Sequence, residues 1–417
     1  MIQNPKRSSD TAKDSPRWYD YYAGYSLNFT KSALEAANLT PNSIVLDPWN
    51  GAGTTTKMCS ISGYRSVGVD LNPVMVVIAK AKLASTTELN IAYENSKKLN
   101  SRFKVQPLSN DLLNSWFTSE SVINIRKIEK FILNKISPST LDAKVSSLSN
   151  VQCLYYISLF NTVRNELTDF IPSNPTWIKK AKYESQKVVL DWKKLRRSFR
   201  DNLEKLLKNR LKYPELQAAS EIILGSSTSL PVKDLSIDLV LSSPPYCTRI
   251  DYGVATLPEL AILSGGNHID ADIIRRSLMG STTVPKEVNE NIELGFACND
   301  FLMKIKNHPS KASSTYYYKN FLQYFNDLFN SIVEISRVLK PNGTCILVVQ
   351  DSYYKDIHCD LARIIIDMFN SNKFKHIQSH EFQSKSNMAN INPRGKVYRN
   401  KTQAIETALF FKRLENE

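Results

Sequence analysis

The chain has 417 residues, 42% of them hydrophobic and 23% charged, a composition that excludes a disordered or collagen-like chain. No run of about 18 apolar residues occurs, which excludes a transmembrane helix, and the polar N-terminus lacks the apolar segment of a secretory signal. The six cysteines form no CxxC pair, so we expect no metal site, no disulfide framework and a cytoplasmic location. The net charge is +14, which suits a polyanionic partner, although many basic proteins have none.

Seven short apolar runs have the length and composition of buried strands. They are Ser43–Asp47, Ser66–Asp70, Glu221–Leu224, Ile237–Leu241, Cys345–Val349, Phe374–His380 and Ala404–Phe411. Helical patterns occupy Asn72–Ala84, Asn320–Leu339 and Asp360–Phe369, and Lys340–Gly343 is predicted to form a turn. Strands that alternate with helices indicate an α/β fold with a mostly parallel sheet covered on both faces, in which ligands bind at the carboxyl ends of strands.

The alternation stops in the middle of the chain. Residues 91–215 are predicted to be mostly helical and hold 23 Lys or Arg against 12 Asp or Glu. Most of the excess positive charge therefore lies in less than a third of the chain. We predict one α/β domain formed by residues 1–90 and 216–417, interrupted by a basic helical insertion at residues 91–215.

A glycine-containing segment, Asp47-Pro-Trp-Asn-Gly-Ala-Gly-Thr-Thr55, follows the first predicted strand and leads into a helix. Gly51 and Gly53 allow a ligand to approach the backbone closely, and the start of the helix offers free N–H groups. The segment lacks the lysine and the glycine spacing of a phosphate-binding loop. The Asp47 carboxylate instead suits an ammonium group. A simple strand-to-helix turn is the alternative.

Asp70 ends the second predicted strand, 23 residues after Asp47. A carboxylate in this position can accept hydrogen bonds from the two hydroxyls of a ribose. Because Asn72-Pro73 follows, Asp70 could instead cap the next helix. The glycine-containing segment nearby favours ribose binding.

The segment Ser243-Pro-Pro-Tyr246 follows the predicted strand Ile237–Leu241. Two adjacent prolines fix the backbone and provide no N–H, so the carbonyls around them are free to point into a site. The tyrosine ring offers a stacking face. The combination suits a planar base whose exocyclic amino group donates hydrogen bonds, and an ordinary proline turn is the alternative.

Together these segments resemble the S-adenosylmethionine-dependent DNA methyltransferases that act on exocyclic amino groups, at N4 of cytosine or N6 of adenine. Asp47–Thr55 is similar to their DPxxGxGTT cofactor loop, Ser243–Tyr246 to their SPPY catalytic motif, and Asp70 to their ribose-binding acid. Tyr22–Phe29 is similar to the segment that closes over the methionine end of the cofactor. The resemblance covers roughly residues 1–90 and 220–417, and it implies a Rossmann-like methyltransferase fold with a mostly parallel seven-stranded sheet.

The resemblance also implies the members of the site. The implied catalytic residues are Ser243, Pro244, Pro245 and Tyr246. The implied cofactor-binding residues are Tyr22, Ser26, Asn28, Asp47, Pro48, Gly51, Gly53, Thr54, Asp70 and Asn72. Family members often carry an acidic residue after the third strand, near the cofactor adenine. Here the segment reads Leu224-Gly-Ser-Ser-Thr228, and Ser226 is the expected substitute. The cofactor loop precedes the catalytic motif, an order that resembles one permutation group of the family.

The implied reaction is direct methyl transfer to the amino nitrogen of a flipped base, without a metal or a covalent intermediate. Hydrogen bonds to Ser243 and to the Pro244 carbonyl would favour a pyramidal nitrogen, and Tyr246 would stack on the base. N4 of cytosine is favoured over N6 of adenine. An RNA base methyltransferase and an inactive DNA-binding protein are weaker alternatives. Cys247 is disfavoured as a nucleophile for C5-methylation because the order is Pro-Tyr-Cys rather than Pro-Cys.

The expected partner is double-stranded DNA, and the basic segment is the candidate recognition region. Between Lys179 and Lys212 there are 13 basic and 4 acidic residues. An apolar helical stripe is predicted through Val189, Trp192, Leu195, Phe199, Leu203, Leu206 and Leu211. The basic residues Lys193, Lys194, Arg197 and Arg200 lie largely off this stripe. They are predicted to contact DNA phosphates, although a charged face is often only solvated.

Two other regions are candidates for DNA contact. Arg249 follows the catalytic motif, where a local ion pair with Asp251 is an equally good interpretation, and Arg394 lies in a basic loop before the last strand. The polar segment 264–318 is predicted to be either a mobile loop over DNA or a disordered insertion. The sequence leaves open the recognition site, the oligomeric state and whether a cognate restriction or defence system exists.

Overall fold

The computed structural model describes residues 1–6, 18–19, 24–106, 108–134, 139–172, 177–247, 251–265, 271–284, 288–290, 293–384 and 404–415. Tyr22, Arg249 and Arg394, all predicted site residues, lie outside these ranges. The strands are β1 (Ile44–Asp47), β2 (Arg65–Asp70), β3 (Ser220–Leu224), β4 (Ile237–Ser242), β5 (Leu339–Gln350), β6 (Ser352–Tyr354), β7 (Ile357–Cys359), β8 (Phe374–Ser384) and β9 (Ala404–Arg413).

The helices in the first half of the chain are α1 (Leu27–Ala36), α2 (Thr54–Ile61), α3 (Pro73–Lys82), α4 (Thr86–Ser96), α5 (Ser119–Leu133), α6 (Leu141–Ser147), α7 (Asn150–Asn165) and α8 (Trp192–Arg210). Those in the second half are α9 (Tyr252–Ala255), α10 (Leu257–Leu263), α11 (Ala271–Ser277), α12 (Phe296–Lys306), α13 (Tyr318–Val338) and α14 (Leu361–Asn370). Within the described ranges, no helix combines the length and the apolar character needed to cross a membrane.

Seven strands form one sheet in the order β3-β2-β1-β4-β5-β9-β8, and β6 pairs with β7 separately. Neighbours from β3 to β5 are parallel, and β9 runs antiparallel between β5 and β8. The chain moves outward from β1 to β3 on one side and from β4 to β5 on the other. The strand order therefore reverses between β1 and β4, where a ligand crevice forms in such sheets. The predicted Rossmann-like α/β fold with a mostly parallel seven-stranded sheet is confirmed.

The turn predicted at Lys340–Gly343 is wrong, because these residues lie inside β5. Ile237 pairs with Leu339, but Leu239 pairs with Thr344, so β5 carries a bulge at this point. Asn342 has a positive φ of 59°, the left-handed conformation that asparagine tolerates well. Turn-forming residues are therefore absorbed as a bulge while the ladder with β4 continues.

The helices between residues 91 and 215 pack onto the α/β framework. One hydrophobic cluster joins α3 to α7 and α8 through side chains such as Val77, Phe160 and Phe199. The core is thus continuous across residue 90. The opposite face of the sheet is covered by α12, α13 and α14, whose apolar residues form a second cluster with β4, β5 and β9.

A buried ionic network holds α10 against the helical segment. Arg126 donates to Asp111 and Glu129 and to the carbonyls of Ala261 and Ile262. Lys144 donates to Glu129 and to the Leu263 carbonyl. The cations therefore pair with buried carboxylates and also donate to carbonyls in the last turn of α10. This network fixes α10, which follows Ser243–Tyr246, the predicted catalytic segment.

Two details of the sequence-based prediction are wrong. Val189 and Leu211, the ends of the predicted apolar stripe, lie outside α8 and are 73% and 67% exposed. The buried face is shorter and runs from Leu195 to Leu206. The segment 264–318 is also not a uniformly loose loop, because α12 buries Cys298, Phe301, Leu302 and Ile305 against α13 and its neighbours.

Candidate active site

A pocket opens at the carboxyl ends of β1 to β4, at the reversal of the strand order. It brings together the glycine-containing segment, Asp70, Ser226 and the catalytic segment, which are far apart in the sequence. Its described lining consists of Gly24, Tyr25, Asp47–Ala52, Thr54, Thr55, Asp70–Asn72, Met75, Ser226–Thr228, Ser243–Tyr246, Tyr252, Ser277–Met279 and Asp327.

The glycine-containing segment is shaped by two left-handed residues. Gly51 has a φ of 49° and Gly53 a φ of 75°, conformations that a side chain would strain. A Cβ atom on Gly53 would also lie 2.9 Å from the Ala79 Cβ, so α2 and α3 can pack this closely only around a glycine. The backbone from Asp47 to Ala52 forms one wall of the pocket, whereas Gly53, also predicted to bind the cofactor, is not part of the described lining.

Asp47 ends β1, is 4% exposed and is part of this wall of the pocket. Its carboxylate accepts hydrogen bonds from the hydroxyls of Thr55 and Ser242 and from the Trp49 N–H. The Tyr25 hydroxyl lies 2.5 Å from the Thr55 hydroxyl and 3.3 Å from the Leu241 carbonyl. Burial raises the pKa of Asp47 to about 6, and the hydrogen bonds from Ser242 and Thr55 oppose that rise.

Asp70 anchors the other side of the pocket. Its two oxygens accept the Gly51 N–H at 2.7 Å and the Asn72 N–H at 2.8 Å. Burial raises its pKa to about 6, and these two N–H groups oppose the rise. The cap of α3 is Asn72, whose side chain accepts the Val74 N–H. Asp70 therefore braces the loop and keeps one acceptor position on each oxygen for a ligand.

The catalytic segment exposes a limited set of acceptors. The Ser243 hydroxyl donates to the Val348 carbonyl at 2.8 Å and also contacts the Tyr246 hydroxyl, and its oxygen keeps acceptor capacity for one further donor. The Pro245 carbonyl accepts the Tyr324 hydroxyl at 2.8 Å. No described residue donates to the Pro244 carbonyl. Ser243 and Pro244 are thus the two positions of this segment that can receive an amino group.

Cys247 is not one of the residues that line the pocket. It is 5% exposed and lies in the second hydrophobic cluster with Cys298 and Cys359. Burial, followed by the contact with Cys359, raises the pKa of its thiol well above the ordinary range. A thiolate nucleophile for C5-methylation is therefore not available here.

Several predicted residues lie elsewhere. Ser26 caps α1 by accepting the Phe29 N–H, and Asn28 is exposed, so neither lines the pocket. Asp251 pairs with Arg275 at 2.6 Å and braces α9 against α11. Pro48 and Thr54 do line the pocket.

The predicted DNA-contacting face lies on α8. Lys193, Lys194 and Arg197 are exposed and Arg200 is half-buried. Lys194 forms an ion pair with Glu166 at 2.6 Å, whereas no described carboxylate pairs with the other three. Glu166 ends α7, and Arg164 on the same helix end binds Glu259 and the Ala255 carbonyl next to the pocket. The N-terminus of α8 is therefore connected to the pocket side of the sheet.

The motifs do not predict four polar residues of the site: Tyr25, Ser242, Asp327 and Glu406. Tyr25 lies within the segment Tyr22–Phe29 and Ser242 directly precedes the segment Ser243–Tyr246, but no residue pattern singles out either side chain. Asp327 lies within an amphipathic helix and Glu406 within an apolar strand. No local pattern distinguishes them from solvated or structural charges.

The pocket lining fits S-adenosylmethionine by its charge. It contains the carboxylates of Asp47, Asp70 and Asp327, and the lining within the described ranges contains no Lys, Arg or His. Such a wall disfavours a phosphate ligand and suits one with cationic and N–H or O–H donor groups. S-adenosylmethionine has an ammonium, a sulfonium, a ribose diol and an adenine amino group.

Comparisons with known proteins agree with this chemistry. The family of N6 and N4 methyltransferases described as DNA methylase matches residues 237–417. The Type II methyltransferase M.BsoBI of Geobacillus stearothermophilus is 26% identical over 280 residues, which cover 59% of this chain and 52% of that protein. The match thus spans about half the length of that relative.

Two other relatives match over more of their length. The Type II methyltransferase M.MvaI of Kocuria varians is 22% identical and covers 89% of this chain and 84% of its own length. M.AvaI of Nostoc sp. is 21% identical, with 82% and 75% covered. With the motifs and the sheet topology, these matches support an S-adenosylmethionine-dependent amino-methyltransferase of the N4/N6 class.

Proposed function

We propose that the protein transfers a methyl group from S-adenosylmethionine to an exocyclic amino group in double-stranded DNA, with N4 of cytosine as the favoured target. The observation that carries this proposal is the arrangement of the catalytic segment. The Ser243 hydroxyl oxygen and the Pro244 carbonyl are available, while the Pro245 carbonyl is taken by Tyr324. Two acceptors match the two N–H bonds of an amino group.

In this proposal the protein acts by positioning. Asp47 and Asp70 bind the methionine and ribose parts of the cofactor, which supplies the activated methyl group. Ser243 and Pro244 accept both amino hydrogens of the flipped base, which favours a pyramidal nitrogen with an available lone pair. The Tyr246 ring holds the base flat by stacking. Alignment of nitrogen and methyl group then lowers the barrier without a covalent enzyme intermediate.

Binding of the duplex is assigned to the basic face of α8. Lys193, Lys194, Arg197 and Arg200 would contact phosphates and so position the DNA without reading its bases. Support comes from their exposure and from the ionic contacts that connect this end of α8 with the pocket side.

The proposal includes action at a defined DNA sequence within a restriction or defence system, because the relatives named above are Type II methyltransferases. N6 of adenine is the alternative target, since the same two acceptors would receive its amino group. An RNA substrate is less favoured because the matching family is described as DNA methylase. An inactive DNA-binding protein is less favoured because both the cofactor loop and the Ser243–Tyr246 segment are intact.

Product analysis tests the proposal directly. Plasmid DNA is incubated with the protein and S-adenosylmethionine, digested to nucleosides and examined by mass spectrometry, with Tyr246→Ala and an RNA substrate as controls. We expect N4-methylcytosine from DNA with the wild type alone. N6-methyladenine would select the alternative target. Methylation of RNA alone, or of no nucleic acid, would contradict the proposal.

A further inference from the structure

A third carboxylate, Asp327, lines the same pocket as Asp47 and Asp70. It is half-buried and projects from the middle of α13. None of the described residues donates a hydrogen bond to this carboxylate or forms an ion pair with it. Burial raises its pKa to about 6, and no N–H or cation of the described residues opposes the rise. An acceptor that is desolvated and unpaired in a ligand pocket costs free energy unless a ligand donates to it.

Contacts on either side locate Asp327 within the pocket. Tyr324, three residues earlier on α13, donates to the Pro245 carbonyl at 2.8 Å. Ser331, four residues later, lies 2.9 Å from Ser227 between the two hydroxyl oxygens. Residues at these spacings share one face of a helix. Asp327 therefore lies between the catalytic segment and the loop after β3.

Ser226, the residue expected to serve the cofactor adenine, is already engaged. Its hydroxyl oxygen accepts the Thr228 N–H at 3.2 Å and lies 2.8 Å from the Thr228 hydroxyl. These contacts close a tight turn at the end of β3. The carboxylate that α13 contributes near that turn is Asp327.

We propose that Asp327 accepts a hydrogen bond from the exocyclic amino group of the cofactor's adenine and so selects adenine over bases with an oxygen in that position. This assignment rests on the proposed use of S-adenosylmethionine and deepens it. The carboxylate reaches the site from the helix before β5 rather than from the end of β3. A ligand with a carbonyl at the same ring position would present oxygen to oxygen and would be rejected.

The test compares two ligands that differ at this one position. S-adenosylhomocysteine and its 6-oxo analogue, S-inosylhomocysteine, are titrated calorimetrically into the wild type, Asp327→Asn and the exposed control Asp300→Asn. A charge-assisted hydrogen bond predicts that the wild type prefers the adenine ligand by about 10- to 100-fold. In Asp327→Asn the amide can donate to the 6-oxo group, so this preference should fall to about threefold or less and the inosine ligand should bind more tightly.

The outcomes separate the two proposals. A misfolded variant cannot gain affinity for the inosine ligand, so that gain would be specific to the pocket. An unchanged preference in Asp327→Asn, with S-adenosylhomocysteine still bound, would overturn the assignment of Asp327 alone. Failure of the wild type to bind either ligand would contradict the cofactor site itself and the assignment with it.

Discussion

The hydroxyl of Tyr246 donates a hydrogen bond to the Glu406 carboxylate, with 3.1 Å between the phenolic oxygen and Oε1. Glu406 lies on β9, the antiparallel strand, where it pairs with Gln350 of β5. Burial raises the pKa of Glu406, and its second oxygen is buried without a partner within the described ranges. The ring proposed to stack on the target base is thus held from a strand 160 residues further along the chain.

We expect Glu406→Ala to lower kcat by about 10-fold, or about 1.4 kcal/mol, because the Tyr246 ring loses its anchor. Tyr246→Phe removes the same hydrogen bond and should give a similar loss. The double variant Tyr246→Phe with Glu406→Ala should then be no slower than either single variant. Steady-state kinetics with duplex DNA measures all three. Losses that multiply in the double variant would show that the two residues act independently.

Replacing the ring itself should separate base binding from cofactor binding. Tyr246→Ala removes a stacking contact of about 1–3 kcal/mol, so methyl transfer should fall by about 5- to 150-fold. Its affinity for the cofactor should change little, because Asp47 and Asp70 are untouched. Single-turnover rates and calorimetry report the two effects separately. A variant that loses cofactor binding but keeps its turnover at saturating cofactor would refute this division of roles.

Asp70 should dominate binding of the cofactor ribose. Asp70→Ala removes both acceptor oxygens, and we expect affinity for S-adenosylmethionine to fall by at least about 10-fold. Asp300→Ala, on the exposed face of α12, is the matched control. Isothermal titration gives both affinities. Equal affinity in wild type and Asp70→Ala would remove Asp70 from the site.

The buried Asp47 carboxyl should make the stability of the ligand-free protein depend on pH. Its folded-state pKa of about 6 lies above the unfolded value of 3.8, so the folded state holds the proton more tightly. Ionisation therefore costs stability as pH rises from about 4 to about 6, by up to roughly 3 kcal/mol. Asp47→Asn has no such cost. The amount by which the free energy of unfolding of Asp47→Asn exceeds that of the wild type should be zero near pH 4 and reach a plateau above pH 6.

Denaturant unfolding of wild type and Asp47→Asn between pH 4 and 8 measures this difference. The same variant should bind the cofactor more weakly at pH 7.5, since the neutral amide does not attract an ammonium group. A stability difference that is constant over the whole pH range would show that Asp47 does not titrate as described.

The basic face of α8 should determine the salt dependence of DNA binding. Lys193, Arg197 and Arg200 have no carboxylate partner within the described residues, so their replacement by Gln should remove up to three phosphate contacts. Each lost contact should flatten the slope of log affinity against log salt by about 0.9. Thermal stability should change little, because the buried face from Leu195 to Leu206 is untouched.

The control replaces Lys31, Lys97 and Lys304 by Gln, which removes the same charge from three residues that pair with carboxylates on their own helices. Duplex affinity is measured at several salt concentrations for wild type and both triple variants. Equal slopes in the two variants would show that α8 contributes only its charge and that DNA is bound elsewhere.

The local features of this protein could be predicted from its sequence. Apolar runs bounded by turn residues define the strands, because a strand buried on both faces must be almost wholly apolar. The segments after β1, β2 and β4 are recognisable for a similar reason: left-handed glycines, a strand-end carboxylate and two fixed prolines are each properties of a few consecutive residues. Their convergence in one pocket follows from the parallel arrangement of those strands.

Other features depend on which elements become neighbours, and only the tertiary structure decided them. Tyr246 meets Glu406 because β9 is inserted antiparallel beside β5. Asp327 enters the pocket because Tyr324 and Ser331 dock α13 against two separate loops. The continuity of the core across residue 90 likewise arises from packing of α7 and α8 on α3. A side chain has no local pattern that encodes such a partner, since the contact is made only when distant segments are brought together by the burial of their apolar faces.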